Sequence, residues 1–312
     1  MMGKIKFYKF GQIYKKSIKA ILIGIFLITF ITQLDATTYY VSLSGNDSWS
    51  GISPDSALRH IAYAASNVIV GDTVLIKNGN YGQELVVIEN SGTVGNPIVF
   101  EGYNGTPLID GQDRTGIGIY IISKNYIEIK NIEVTRYEYG IRIDSSYHIT
   151  MDSIIVTNIG DLDDDYDGWG IDLVYSDSCI IQNCNVTDAS ADNYQLDHSN
   201  YNLIENCKAY GIRIDNPTDY YILLQYSHDN VVQNCLSQNM HISHPEVHPG
   251  HGIGIKDNYW IGHGYSSPHS YNNKFINCVA RGHGEDLLVS HHSHDNEFMD
   301  CNATPSDTVT SR

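Results

Sequence analysis

The sequence predicts an all-β fold, a single-stranded parallel β-helix closed at its N-terminal end by a capping helix. Three observations carry this. A phrase ending in Asn-Cys or Asp-Cys recurs along the C-terminal half: CIIQNC (179–184), NLIENC (202–207), NVVQNC (230–235), NKFINC (273–278) and NEFMDC (296–301). Three of its intervals lie between 23 and 28 residues and the fourth is 43, and a period in the twenties marks a solenoid. Between the phrases stand short β-rich runs broken by Asn, Asp, Ser and Gly, with no amphipathic helix, which favours stacked β coils over a leucine-rich repeat.

The elements follow in chain order. Six lysines between Lys4 and Lys19 precede an apolar run from Ala20 to Ile31, and Leu34-Asp35-Ala36 offers a small residue for cleavage. That pattern predicts a secretory signal peptide over residues 1–36, too short in its apolar core to span a bilayer. No later segment is apolar enough to span one, so the expected location is extracellular or on the cell surface. TTYYVSLSGNDSWSG gives a strand and a turn, and Pro54-Asp55-Ser56 starts a helix in which Leu58, Ile61, Ala62 and Ala65 share a face. That face covers the end of the coil stack, so the cap occupies about 37–70. GDTVLIKNGNY (71–81) is the first full strand and turn, and about eight coils run to residue 302, with a short tail over 303–312. With no evident C-terminal cap, self-association could close that end.

The domain 37–312 carries 13 basic and 35 acidic residues, a balance of −22. Such a surface repels nucleic acid and anionic membranes, and would repel an acidic polysaccharide unless cations intervene. The six cysteines would suggest disulfides in a secreted chain, but five of them are repeat positions. Stacked Cβ vectors point the same way and suit a bridge poorly, so a column of free, inward thiols is expected.

Aligning the strands before each phrase locates the functional face. GIRID (140–144), GIDLV (170–174), NYQLD (193–197), YILLQ (221–225), GIGIK (252–256) and DLLVS (286–290) fall at equivalent places. Alternation then sets two outward columns: Asp144, Val174, Asp197, Gln225, Lys256 and Ser290, and Arg142, Asp172, Gln195, Leu223, Gly254 and Leu288. The turns entering these strands are polar and stack into one wall. They hold DLDDDYDGWG (161–170), then Asp188 and Asp192, Asp215 and Asp219, the histidine run HISHPEVHPGHGIGIK (241–256), then His283 and Glu285. Asp161, Asp163, Asp165 and Asp167 are either a calcium loop, their alternate carboxylates converging on one hard cation, or a solvated acidic turn. His241, His244, His248 and His251 match no closed zinc template. His251 falls within a residue or two of His283 on the next coil, where paired imidazoles could share protons near neutral pH.

YYVSLSGNDSWSG, SALRHIAYAA and GDTVLIKNGNY together resemble the opening of secreted right-handed β-helix proteins of the pectate-lyase-like superfamily, over essentially the whole mature chain. GHGIGIKDN, followed by NNKFINCVARGHGEDLLV, resembles the catalytic coil of polysaccharide lyase family nine. The resemblance implies a right-handed helix and makes Lys256 the base of a β-elimination, with Glu285-Asp286 as a later acidic pair. It departs where the family expects calcium-binding aspartates, because this chain has His248 and His251; Asp188, Asp192, Asp215 and Asp219 could supply ligands instead. The expected substrate is an acidic, uronic-acid polysaccharide, with calcium as cofactor. Lys256, His251 and His283 carry the chemistry, and Arg142, Arg213, Arg281 and Asp197 bind substrate. Two alternatives stay open: a non-catalytic glycan-binding or surface β-helix, and a glycoside hydrolase using Asp172 and Asp197.

Overall fold

The structure, a computed structural model, describes residues 36–161, 167–214, 217–240, 250–257, 269–289, 293–303 and 310–311. The expected signal peptide, together with Asp163, Asp165, Asp215, His241, His244, His248 and Ser290, lies outside the described residues, except for Ala36. Residues 36–312 form one compact unit.

Each coil contributes one strand to each of three sheets, of ten, seven and nine strands among the described residues. In one coil, Tyr147–Asp152 joins the first sheet, Ile155–Ile159 the second and Trp169–Val174 the third; the next returns to the first at Ile180–Gln182. Every ladder is parallel, as a solenoid requires. The inward positions fill the core: Ile141, Ile143, Ile171, Leu173, Tyr194, Leu196, Ile222, Leu224, Ile253 and Ile255 are fully buried.

The corners explain the repeat. The residue before each ladder cysteine turns the chain in the left-handed region: Asn183, Asn206, Asn234, Asn277 and Asp300 have φ between 50° and 56°. Asn and Asp tolerate that conformation better than other side-chain-bearing residues, which is why they precede the cysteine. The next residue then points inward. Cys184, Cys207, Cys235 and Cys278 are buried, Cys301 is half-buried, and all six cysteines are free. Each ladder thiol lies near a carbonyl of the preceding coil, from 3.3 Å (Cys301 Sγ to Phe275 O) to 3.9 Å (Cys184 Sγ to Met151 O).

Two buried polar ladders stitch the corner between the third and first sheets. Backbone N–H groups of Cys179, Asn202, Asn230 and Asn273 donate at 2.8–3.0 Å to the Oδ1 atoms of Asn202, Asn230, Asn273 and Asn296. Ser146, Ser176, Ser199 and Ser227 donate likewise to the hydroxyls of Ser176, Ser199, Ser227 and Ser270 at 3.0–3.1 Å. These bonds satisfy backbone donors that no sheet ladder reaches.

The cap differs from expectation in where it starts. Pro54–Ser56 is a single 3-10 turn, and the α-helix α1 runs from Ile61 to Asn67. Leu58 is instead drawn into extended pairing, its N–H donating to Tyr40 O at 2.8 Å while its carbonyl accepts from Ser42 at 2.9 Å. Asp47 Oδ1 holds the N–H groups of Arg59 and His60, and Glu84 Oε2 caps α1 through the N–H of Ala62 at 2.8 Å. Ile61, Ala64 and Ala65 form its buried face, with Ala62 half-buried. At the other end, Thr310–Ser311 pairs with Leu288–Val289, so a short strand lies on an edge where no cap was expected.

Candidate functional site

The registers bear out the outward column from Arg142 to Leu288, and the other outward column from Asp144 to Gln225. Arg142 pairs with Asp172, Asp172 with Gln195, Gln195 with Leu223, Leu223 with Gly254 and Gly254 with Leu288. Beside them Asp144, Val174, Asp197 and Gln225 are in register, and Lys256 follows one coil on, its N–H donating to Leu224 O at 3.0 Å. A third column precedes these on the same strands: Tyr139, Trp169, Asp192, Tyr220, His251 and Glu285. Sequence reasoning named members of that column without aligning them. Extending the strand alignment by one residue toward the N-terminus finds it.

The middle column is not an open groove floor. Asp172 is 1% exposed, Leu223 2% and Leu288 9%. The reactive groups gather instead along the third column. Tyr139 and Trp169 stack at 4.7 Å, and the Arg142 guanidinium lies 4.8 Å from the Tyr139 ring centroid. Arg142 Nη1 donates to Asp172 Oδ2 at 2.8 Å, while Oδ1 of Asp172 is buried without a hydrogen-bond partner among the described residues. Burial pushes the Asp172 carboxyl up to about 7, with Asp197 and Asp144 adding to the shift and Arg142 opposing it.

Asp192, next to Trp169 in the column, is buried as well, at 5% exposed. Burial holds its carboxyl well above the usual range, helped by the charges of Asp219 and Asp172; Lys256 and a hydrogen bond from Trp169 oppose this. Lys256 lies two coils on, half-buried, its Nζ 4.5 Å from the Tyr220 ring centroid. Burial works against its charge, but the hydrogen bond to Tyr220 and the carboxylates of Asp219 and Asp192 outweigh it, so its pKa is raised. His251 stacks on the same tyrosine at 4.6 Å, with Nδ1 3.2 Å from Glu285 Oε2. Lys256 and His251 thus meet at Tyr220, although four residues separate them, His251 opening the strand and Lys256 following its end.

Other expected site residues are placed elsewhere. His283 is 4% exposed and turned into the core, where Nε2 lies 3.0 Å from Ser237 Oγ and the ring abuts Tyr221 at 4.3 Å. The expected pairing with His251 fails because the turn rotates: the N–H of His283 donates to the buried Asp286 Oδ1 at 3.1 Å. The acidic pair therefore splits, Glu285 facing His251 and Asp286 holding the turn. Arg281 is exposed on the second sheet, away from this face. Arg213 is in the wall, its Nη2 donating to Asp161 O at 3.2 Å and its N–H to Asp188 Oδ1 at 2.9 Å. Asp197 bonds His198 at 2.8 Å. In the acidic turn, Asp161 and Asp167 are described, and Asp163 and Asp165 lie outside the described residues.

Among the described residues, no group of three or more His, Cys, Asp or Glu side chains is already assembled as a metal site. The charges of Asp219 and Asp172 nevertheless both act on the buried Asp192 carboxyl, and neighbouring carboxylates are a donor chemistry that suits a hard cation. Among the described residues, no helix is long and apolar enough to cross a membrane.

Comparison with known proteins agrees with the architecture. A family model described as "Pel9A-like, right handed beta helix region" matches residues 39–282. An uncharacterized protein of Bacillus subtilis (strain 168), YwoF, is 30% identical over 129 residues. That alignment spans 36% of this chain and 27% of YwoF. Among solved structures, pectate lyase Pel9A superposes with a TM-score of 0.61 at 17% identity, covering 90% of this chain and 79% of that one. A rhamnogalacturonan lyase gives 0.58 at 15%, covering 86% and 74%. A GH136 lacto-N-biosidase from Eubacterium ramulus gives 0.56 at 12%, covering 88% and 67%. At these identities the structural likenesses establish the fold alone.

Proposed function

The chain belongs to the Pel9A-like right-handed beta-helix family, and on that premise we propose that it is a polysaccharide lyase cleaving an acidic, uronic-acid polysaccharide by β-elimination. The observation that carries this is the convergence of Lys256, Tyr220, Asp192 and Asp219, whose charges and rings act on one another beside the strands of the third sheet. Two of the superposed structures, a pectate lyase and a rhamnogalacturonan lyase, are enzymes of that class.

In the reaction Lys256 Nζ, in its neutral form, takes the proton on the carbon next to the sugar carboxylate; Asp219 and Asp192 hold its pKa up, and a cation bound by them would oppose that shift and favour the neutral amine. The electron pair left behind forms a carbon–carbon double bond, and the neighbouring carbon–oxygen bond of the glycosidic linkage breaks. The departing oxygen takes a proton, for which His251, steadied by Tyr220 and Glu285, is the placed donor. The arginine column contributes Arg142 as a fixed carboxylate receptor, its guanidinium oriented by Asp172 and Tyr139. Calcium is the proposed cofactor, with Asp192 and Asp219 as the described carboxylates that would hold it. When bound there it would neutralise the substrate carboxylate and stabilise the charge left by proton removal. The acidic turn of Asp161, Asp163, Asp165 and Asp167 remains a proposed second calcium site.

A hydrolase built on Asp172 and Asp197 is disfavoured, because at 1% exposure Asp172 cannot flank a glycosidic bond. The test is a cleavage assay on polygalacturonate, rhamnogalacturonan and alginate, read by the ultraviolet absorbance of unsaturated ends. Absorbance should appear with calcium and fall at least tenfold with a chelator. Reducing ends without absorbance would assign hydrolysis instead, and binding without either signal would assign a glycan-binding module.

A further inference from the structure

We infer that Tyr175, His198 and Tyr226 form an aromatic rail that binds the uronan chain and leads it to Lys256. This deepens the lyase reading above and rests on it. The three residues occupy one corner on successive coils, directly after the outward column of Val174, Asp197 and Gln225. The N–H of Ser145 donates to Val174 O, that of Tyr175 to Asp197 O and that of His198 to Gln225 O, at 2.9–3.0 Å, which fixes the column. The rail therefore borders the outer face of the third sheet on the side opposite the acidic turns. Its last ring lies one coil before Lys256, whose own coil places Asp257 at this corner.

The corner conformation is shared with other rings, Tyr126, His148 and Tyr201 among them, so what changes along this corner is the side chain. Tyr175, His198 and Tyr226 have φ of 49°, 50° and 49°, in the left-handed region. Ser123 and Ser145 hold the same corner on earlier coils with φ of 53° and 50°. Small polar residues suffice to turn the chain there, and bulky rings in that region are strained, a feature that clusters at ligand sites. The aromatic residues begin one coil after Tyr139 and Arg142 and run to the coil before Lys256.

The ring geometry supports a ligand. Tyr175 and His198 lie 4.8 Å apart at 34°, and His198 and Tyr226 4.9 Å apart at 36°. The rings are tilted rather than flat on one another, and Tyr175, the first of the rail, is 55% exposed. On the adjacent corner, by contrast, His228 with Tyr271 and Tyr271 with His294 stack nearly flat, at 10° and 5°, covering each other's faces. Asp197 fixes the His198 ring through Nδ1 at 2.8 Å, which makes it a positioning residue rather than a direct sugar ligand. Successive rungs are about 4.8 Å apart, close to the length of one pyranose unit in an extended chain. Contact between apolar sugar faces and rings needs no net positive charge. It therefore suits an acidic polymer meeting a protein whose formal charge is −17.

The experiment is native gel electrophoresis in gels containing polygalacturonate or alginate, using the full chain carrying Lys256→Ala so that the polymer stays uncut. Tyr175→Ala and Tyr226→Ala should each weaken apparent affinity by about three- to tenfold, and Tyr175→Phe should retain it. Tyr63→Ala, an exposed ring on α1, serves as the remote control. Circular dichroism of each variant separates a folding failure from a binding one. Unchanged retardation in Tyr175→Ala, or no retardation of the parent in either polymer, overturns the rail. If retardation depends on the rail but the wild-type chain forms no unsaturated ends, the lyase reading fails and the rail stands. If the wild-type chain cleaves and Tyr175→Ala binds as its parent does, the rail fails and the lyase reading stands.

Discussion

Lys256→Ala is expected to lower kcat/KM for elimination by about 10²- to 10⁴-fold, the usual contribution of a positioned general base. Lys256 follows a strand whose inward neighbours Ile253 and Ile255 are fully buried, so its backbone is fixed by the core and its side chain alone is free to serve the reaction. Truncation should leave folding intact, because the side chain is half-buried on the outer face and holds no core position. Lys256→Arg is the sharper variant. It keeps the positive charge beside Asp192 and Asp219, but a guanidinium does not give up its proton in this range. If Lys256 acts as the base, Arg should be nearly as inactive as Ala. If it merely attracts the polymer, Arg should restore most of the rate. Initial rates of ultraviolet absorbance on saturating polymer distinguish the two.

The second large effect concerns pH and stability. The Asp172 carboxyl is pushed up to about 7 from an ordinary 3.8, chiefly by burial. Between about pH 4 and pH 7 the unfolded chain has lost this proton while the folded chain retains it. The folded state binds the extra proton, so stability falls as pH rises through that window, and the full penalty is present above about 7. Three units correspond to about 4 kcal/mol. Burial holds Asp192 in the same direction, which adds to the slope. Chemical denaturation in chelator should therefore show the wild-type chain less stable at pH 8 than at pH 5. Asp172→Asn removes the titration while leaving an oxygen for Arg142, and should flatten that slope by a few kcal/mol. A variant with the wild-type slope would show that Asp172 ionises in the folded protein as it does in water.

The solenoid was legible because its signals are local and repeated. The Asn-Cys phrase reports a left-handed corner followed by an inward side chain, and that pair of constraints recurs on every coil. The outward columns followed from strand alternation, and the registers from Arg142 to Leu288 match the alignment residue by residue. The turns were less legible, since they have no fixed period. His283 lies two residues from the register partner of His251, yet the rotation of its turn by Asp286 sends the ring into the core. Arg281 was assigned to the wall by nearness in sequence, but alternation along its strand on the second sheet puts it on another face. Outward was also equated with exposed, and Asp172 shows the difference: it leaves the core on the outer side and is then covered. The start of α1 was misplaced because Leu58 is recruited by Tyr40, a pairing that helical periodicity does not encode.

The most direct test of the central claim is the mass of the cleavage products. Oligosaccharides released from a uronan by this protein should sum to the mass of the parent chain, with one unsaturated end per cut. Products heavier than the parent by one water per cut, or a polymer left whole with and without calcium, would contradict elimination at this face.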